Sequence, residues 1–254
     1  MSLLQTQNLF KEFDGIKAVD DLSFEIERSS IVALVGPNGS GKTTVFNLIS
    51  GFLRPNKGKI LFDGKEITQL NPHKIAQLGI GRTFQNIRLF SQISVLDNVM
   101  LALRYDKGES FLAALFQTKK MKKEEDRNRQ KAKELLKFAG LIEKKDDLAE
   151  NLSHGQRKLL ELARILALDP KIFLLDEPVA GLFPETKRVM LNLIIALKDK
   201  GRTILFIEHD INSVIGIAEK IIVLSYGRKI AEGKPEEVRN NEEVFRVYLG
   251  KRKI

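Results

Sequence analysis

Eight consecutive residues, Gly36-Pro37-Asn38-Gly39-Ser40-Gly41-Lys42-Thr43, have the types and spacing of a phosphate-binding loop. They follow the apolar run Ile31-Val32-Ala33-Leu34-Val35 and precede apolar residues at helical spacing, Val45, Phe46, Leu48 and Ile49. Strand, glycine-rich loop and helix is the context in which backbone N–H groups turn inward on phosphate oxygens. The helix adds the positive end of its dipole. Lys42 supplies a mobile cation for the β- and γ-phosphates, and the Thr43 hydroxyl is placed to ligate Mg²⁺. The pattern implies a nucleoside triphosphate ligand. A second apolar run, Ile172-Phe173-Leu174-Leu175, ends in Asp176-Glu177-Pro178. A buried parallel strand delivers carboxylates at its C-terminal end to the crevice where ligands bind. There Asp176 is suited to hold Mg²⁺ through water, and Glu177 to act as general base on an attacking water.

Two further segments carry polar groups at element ends. Ser153 precedes a helical pattern, Gln156 to Leu168, as an N-cap that could also offer its hydroxyl and nearby N–H groups to an anion. Glu208-His209-Asp210 follows the strand pattern Thr203 to Ile207, on the same edge as the other carboxylates.

The elements that must position these groups alternate. Strand patterns cover Leu3 to Leu9, Leu22 to Ile26, Ile31 to Val35 and Lys59 to Phe62, with turns at Gly15, Arg28-Ser29-Ser30 and Asp63-Gly64. Asn71-Pro72 opens a helix that Gly79 stops. Helical patterns then cover Leu96 to Leu103, Glu124 to Phe138 and Gln156 to Leu168. Strands return at Ile172 to Leu175, Thr203 to Ile207 and Ile221 to Leu224. Strand–helix alternation around a P-loop predicts a largely parallel sheet covered on both faces, with the helical middle third as an insertion.

Composition narrows the class. The 254 residues, 43% of them hydrophobic, suffice for a substantial core, and no apolar run is longer than Phe111 to Phe116. That is far short of the roughly 18 residues a membrane-spanning helix needs. The first residues lack a secretory signal pattern, so a cytoplasmic location is expected. Without cysteine, disulfides and Cys-ligated metals are excluded. The net charge of +9 concentrates in Lys119 to Lys137, where Ala132, Leu135, Leu136 and Ala139 recur at helical spacing. That reads as a solvated helix face rather than a nucleic-acid stripe, and no nucleic-acid partner is expected.

In this order the P-loop, Leu152-Ser153-His154-Gly155-Gln156, Leu174-Leu175-Asp176-Glu177-Pro178 and Glu208-His209-Asp210 resemble the ATP-binding subunits of ABC transporters along the whole chain. The resemblance implies an α/β P-loop NTPase core with an N-terminal antiparallel β subdomain, spanning 1–94 and 169–254, and a helical subdomain at 95–168. It implies ATP and Mg²⁺ as cofactors. The nucleotide would meet Phe13, stacking on adenine, and Gly36, Pro37, Asn38, Gly39, Ser40, Gly41, Lys42, Thr43 and Thr44. Gln85 would touch Mg²⁺ or the lytic water, beside the ligands Thr43 and Asp176, and His209 would contact the γ-phosphate. It further implies a dimer, of two copies or of this chain with a second such ATPase, in which Ser153, Gly155 and Gln156 act on the opposite subunit's nucleotide. Permease subunits and, indirectly, a substrate-binding protein would be the partners, with the ATPase peripheral on the cytoplasmic membrane face. Gly81-Arg82-Thr83-Phe84-Gln85-Asn86-Ile87-Arg88-Leu89-Phe90, Leu96-Asp97-Asn98-Val99-Met100, Ala180-Gly181-Leu182, the segments Ile230 to Gly233 and Tyr248 to Gly250, and an insertion from Gly108 to Lys123 resemble branched-chain amino-acid importers. Related ATPases for urea or amide uptake, or for lipopolysaccharide export, share much of this pattern. A further alternative, less favoured, is a soluble ABC ATPase working on nucleic acid; such proteins usually carry long coiled-coil insertions or two tandem cassettes, and 254 residues hold neither.

Overall fold

The computed structural model describes residues 2–85, 87–103, 119–209 and 214–249. Asn86, Asp210, Gly250 and the apolar part of the insertion, Phe111 to Phe116, lie outside the described residues. The chain divides into two compact units. One comprises Met1–Arg82, Pro170–Ala180 and Ile194–Ile254; the other comprises Thr83–Asp169 and Gly181–Leu193.

The first unit holds two sheets. Strands β1 (Ser2–Phe13), β2 (Ile16–Glu27), β4 (Lys57–Phe62) and β5 (Lys65–Glu66) form an antiparallel sheet in the order β2-β1-β4-β5. Strands β3 (Ile31–Val35), β6 (Ile80–Arg82), β7 (Ile172–Asp176), β8 (Thr203–Glu208), β9 (Lys220–Ser225) and β10 (Arg228–Gly233) form a second sheet in the order β10-β9-β3-β8-β7-β6. It is parallel except for β10, which runs antiparallel at the edge. Every residue of β3, β7 and β8 is buried, which explains their unbroken apolar runs. Helix α1 (Lys42–Ile49) buries Val45, Phe46, Leu48 and Ile49 in the core with Leu34, Leu174 and Ile207. Helix α2 (Pro72–Leu78) starts after Asn71 and ends at Gly79, as its sequence signals require.

Strands β6 and β10 have no counterpart in the sequence reading. Three residues including a glycine carry no periodicity, and β10 is an edge strand rich in charge. The hairpin β1–β2 extends beyond its apolar centre, with register shifts that let exposed polar residues join the ladder.

The second unit is helical: α3 (Val95–Met100), α4 (Lys119–Phe138), α5 (His154–Ala167) and the N-terminal part of α6 (Pro184–Asp199). Ala132, Leu136 and Ala139 are buried while Arg127, Arg129, Lys131 and Lys137 are exposed, so the basic run is a solvated outer face. Buried Asn98 accepts from Phe90 N–H and donates to the carbonyls of Phe90 and Ser94. That side chain fixes the turn between the Gln85 segment and α3. Two short helices, α7 (Pro235–Arg239) and α8 (Glu242–Leu249), complete the described chain in the first unit. Among the described residues, no helix is long and apolar enough to cross a membrane.

Candidate functional site

The loop Gly36–Gly41 joins β3 to α1, and Gly41 takes the N-cap position at φ +101°. A Cβ there would stand 2.3 Å from the Ala18 carbonyl oxygen, so only glycine fits between the loop and β2. Helix α1 has no side-chain cap and no acidic residue in its first turn. Its first N–H groups are thus left to an external acceptor, and the helix dipole selects an anion. Buried Lys42 donates to the carbonyls of Gly36 at 2.7 Å and Pro37 at 2.9 Å. Burial pulls its pKa down, and the nearby charges of Glu177, Asp176 and Glu208 pull it back up. The buried Ser40 hydroxyl has no partner among the described residues. An uncapped helix end, a lysine resting on carbonyls and an unsatisfied hydroxyl fit a polyphosphate chain.

Thr43 is exposed on the first turn of α1 and Thr44 is half-buried behind it. Phe13 ends β1 opposite Ile16, 40% exposed, with the Lys11 ammonium 5.0 Å from its ring centroid. Pro37 is half-buried, and Asn38 and Gly39 are exposed at the loop tip.

The carboxylates gather at the C-terminal ends of β7 and β8. Asp176 is buried, and burial pushes its carboxyl up, against the opposing pull of the Arg82 guanidinium. The two ionic groups are 3.7 Å apart. Glu177 is held at φ +47°, a sparsely populated region for a non-glycine residue, with its N–H donating to the Ile207 carbonyl. Glu208 is buried and accepts the Val179 N–H, while His209 beside it is exposed. Among the described residues no group of three or more His, Asp or Glu could form a protein-only metal cage. Thr43 and a single carboxylate fit Mg²⁺ instead, which takes few protein ligands and completes its shell with phosphate and water. Arg82, whose side chain is buried, was given no role by the sequence, and Glu208 entered only as part of Glu208-His209-Asp210. The available signals were an arginine within Ile80-Gly81-Arg82 and an acid closing an apolar strand.

The second unit holds the other residues of interest. Ser153 and Gln156 cap α5 reciprocally: the Ser153 hydroxyl accepts from Gln156 N–H at 3.3 Å, and Gln156 Oε1 accepts from Ser153 N–H at 2.9 Å. A Cβ on Gly155 would lie 2.8 Å from Thr186 Cγ2, and a Cβ on Gly181 would lie 3.7 Å from His154 Nε2. The start of α5 therefore rests directly on the segment 181–186. Exposed Gln85 and His154 line one cavity of about 560 Å³, with Glu150 and Arg157.

Residues 19–180 match the family described as ABC transporter, and residues 228–253 match that described as branched-chain amino acid ATP-binding cassette transporter. The chain is 43% identical to a probable branched-chain amino acid transport ATP-binding protein, LivG, of Archaeoglobus fulgidus, over 98% of this chain and 96% of that one. Among solved structures it is similar to MJ1267, an ATP-binding cassette of an ABC transporter in its ADP conformation. There the TM-score is 0.85 and identity 36%, over 99% of this chain and 100% of the other. It is also similar to the ATP-binding cassette MJ0796, a dimeric post-hydrolysis structure bound to ADP and Pi. That likeness has a TM-score of 0.77 at 28% identity, over 91% of this chain and 98% of the other. Since the likeness runs through both units and the P-loop geometry agrees with it, the chain belongs to the ABC transporter family of ATP-binding ATPases.

Proposed function

We propose that this ATPase powers uptake of branched-chain amino acids through a membrane permease, acting as a dimer with Mg²⁺-ATP at the cytoplasmic membrane face. The uncapped end of α1 beside Lys42 carries the nucleotide reading, because among the described residues no side chain caps that helix start. The transport substrate is supported by the name of the Archaeoglobus relative and by the match of the C-terminal segment 228–253. Dimer formation is supported by the dimeric description of MJ0796.

In this mechanism Lys42 exchanges the Gly36 and Pro37 carbonyls for β- and γ-phosphate oxygens, while the loop N–H groups hold the chain of phosphates. Phe13 stacks on the base. Thr43 and Asp176 would hold the metal. Magnesium, when bound with the nucleotide, neutralises charge that develops on the transferred phosphoryl group. Glu177 takes a proton from the attacking water, and His209 donates to the γ-phosphate. Gln85 links occupancy to the second unit. Ser153, Gly155 and Gln156 serve the nucleotide of the opposite subunit, whether a second copy or a related ATPase.

Uptake of labelled leucine and labelled urea in a strain lacking this subunit tests the reading. Wild type should restore leucine uptake and Glu177→Gln should not. Intact leucine uptake with lost urea uptake would move the substrate to amides; no defect in a strain without redundant importers would sink the transport assignment.

A further inference from the structure

Arg82 ends β6, opposite Leu174 of β7 and two positions short of Asp176 along that neighbouring strand. Its side chain is 7% exposed, which for a cation demands partners on several sides. One terminal nitrogen donates to Asn47 Oδ1 at 2.8 Å and to Ser50 Oγ at 2.6 Å. Both acceptors sit at the far end of α1, the helix whose start forms the P-loop site, and Ser50 is itself fixed by donating to the Phe46 carbonyl at 2.6 Å. The guanidinium carbon lies 5.7 Å from the ring centroids of both Phe46 and Phe52. Two aromatic contacts and a doubly anchored nitrogen leave the fork little freedom to rotate. Its other terminal nitrogen then faces Asp176 Oδ2 at 3.7 Å.

We propose that Arg82 is a positioning residue for the metal–nucleotide complex: anchored on α1 by Asn47 and Ser50, its guanidinium sets where the Asp176 carboxylate stands. The inference rests on the reading of Asp176 as the carboxylate that holds Mg²⁺ through water. A contact of 3.7 Å is a charge contact rather than a tight bidentate fork, so it orients the carboxylate without the geometry of a full Arg–carboxylate chelate. The same side chain joins three pieces that must keep register: the end of α1, the end of β7, and β6, which runs three residues on into Gln85. A purely structural ion pair would need none of the Asn47 and Ser50 anchoring to hold β6 against β7, because their ladder already does that.

The test uses the full chain loaded with a non-hydrolysable ATP analogue, with Mn²⁺ as the probe read by electron paramagnetic resonance. Arg82→Met should weaken Mn²⁺ binding roughly 10- to 100-fold, the usual effect of losing an outer-shell partner. Analogue affinity in EDTA should stay within about threefold, and kcat should fall at least tenfold with KM changed far less. Arg82→Lys should recover only part of the Mn²⁺ affinity, because an ammonium cannot reproduce the fork. Should Arg82→Met fail to fold, the pair Asn47→Leu with Ser50→Ala keeps the charge but removes the anchors, and should weaken Mn²⁺ in the same direction. Asp176→Asn is the reference. If it loses Mn²⁺ and the Arg82 and anchor variants do not, the positioning role is wrong while the Asp176 reading stands. If Asp176→Asn itself binds Mn²⁺ normally, the metal reading and the inference both fall.

Discussion

The Glu208 carboxylate accepts the backbone N–H of Val179 at 3.3 Å, and its second oxygen lies 4.0 Å from Nδ1 of His209. One buried acid at the end of β8 thus ties the segment that follows Glu177, after β7, to the neighbouring strand. Losing it strands a buried N–H donor, a cost of about 1–3 kcal/mol. Glu208→Ala should lower the unfolding midpoint accordingly and reduce kcat, while Glu208→Gln, which retains an acceptor oxygen, should do less of both. Chemical denaturation and steady-state ATPase assays read the two effects; an Ala variant with unaltered midpoint would show the contact is immaterial.

Glu177→Gln should retain nucleotide binding and lose about 10²- to 10⁴-fold in turnover, the contribution of a positioned general base. An ATP-bound dimer should accumulate, visible as an earlier elution volume with ATP in size-exclusion chromatography. Turnover near the wild-type value would remove Glu177 from the base role.

Gly155→Ala should destabilise the second unit by about 1–3 kcal/mol, the usual cost of overpacking. The added Cβ would meet Thr186 Cγ2 at 2.8 Å, and a β-branched side chain cannot easily swing that methyl aside. Thr186→Ala in the same chain should restore most of the loss. A double-mutant cycle on unfolding free energies measures the coupling, and strict additivity of the two changes would contradict the close approach.

Asp63 bears on acid stability. Hydrogen bonds from Lys171, at 2.6 Å, and from Arg28 hold its carboxyl below the usual carboxylate range. A depressed folded-state pKa stabilises the fold above the unfolded-state value and loses that contribution as pH falls through the folded value. The acid limb of the stability curve, below about pH 4, should therefore flatten in Asp63→Asn, with little change in slope near neutrality. Unfolding midpoints measured from pH 2 to 7 for both proteins check this, and identical acid limbs would refute it.

How much of this was readable in the chain depends on whether a feature is local. The P-loop was legible because eight contiguous residues hold its whole geometry, and strand β7 because full burial writes itself as an unbroken apolar run ending in Asp176-Glu177. The cap of α5 is local too, since Ser153 and Gln156 lie three residues apart. By contrast, nothing near Arg82 in sequence announces Asn47, Ser50 or Asp176; the packing of β6 beside β7 brings them together. The same holds for Glu208 meeting Val179, and for Gly155, whose lack of a side chain is demanded by Thr186 on another helix. Strands β6 and β10 were invisible for a related reason. A three-residue strand and a charged edge strand have too little one-sided burial to impose a period of two, so the neighbouring strand alone defines them. Chemistry carried by adjacent residues is thus determined by sequence. Chemistry that depends on a buried charge finding its partner is decided by tertiary structure, because solvation penalises the unpaired group wherever the chain happens to bring it.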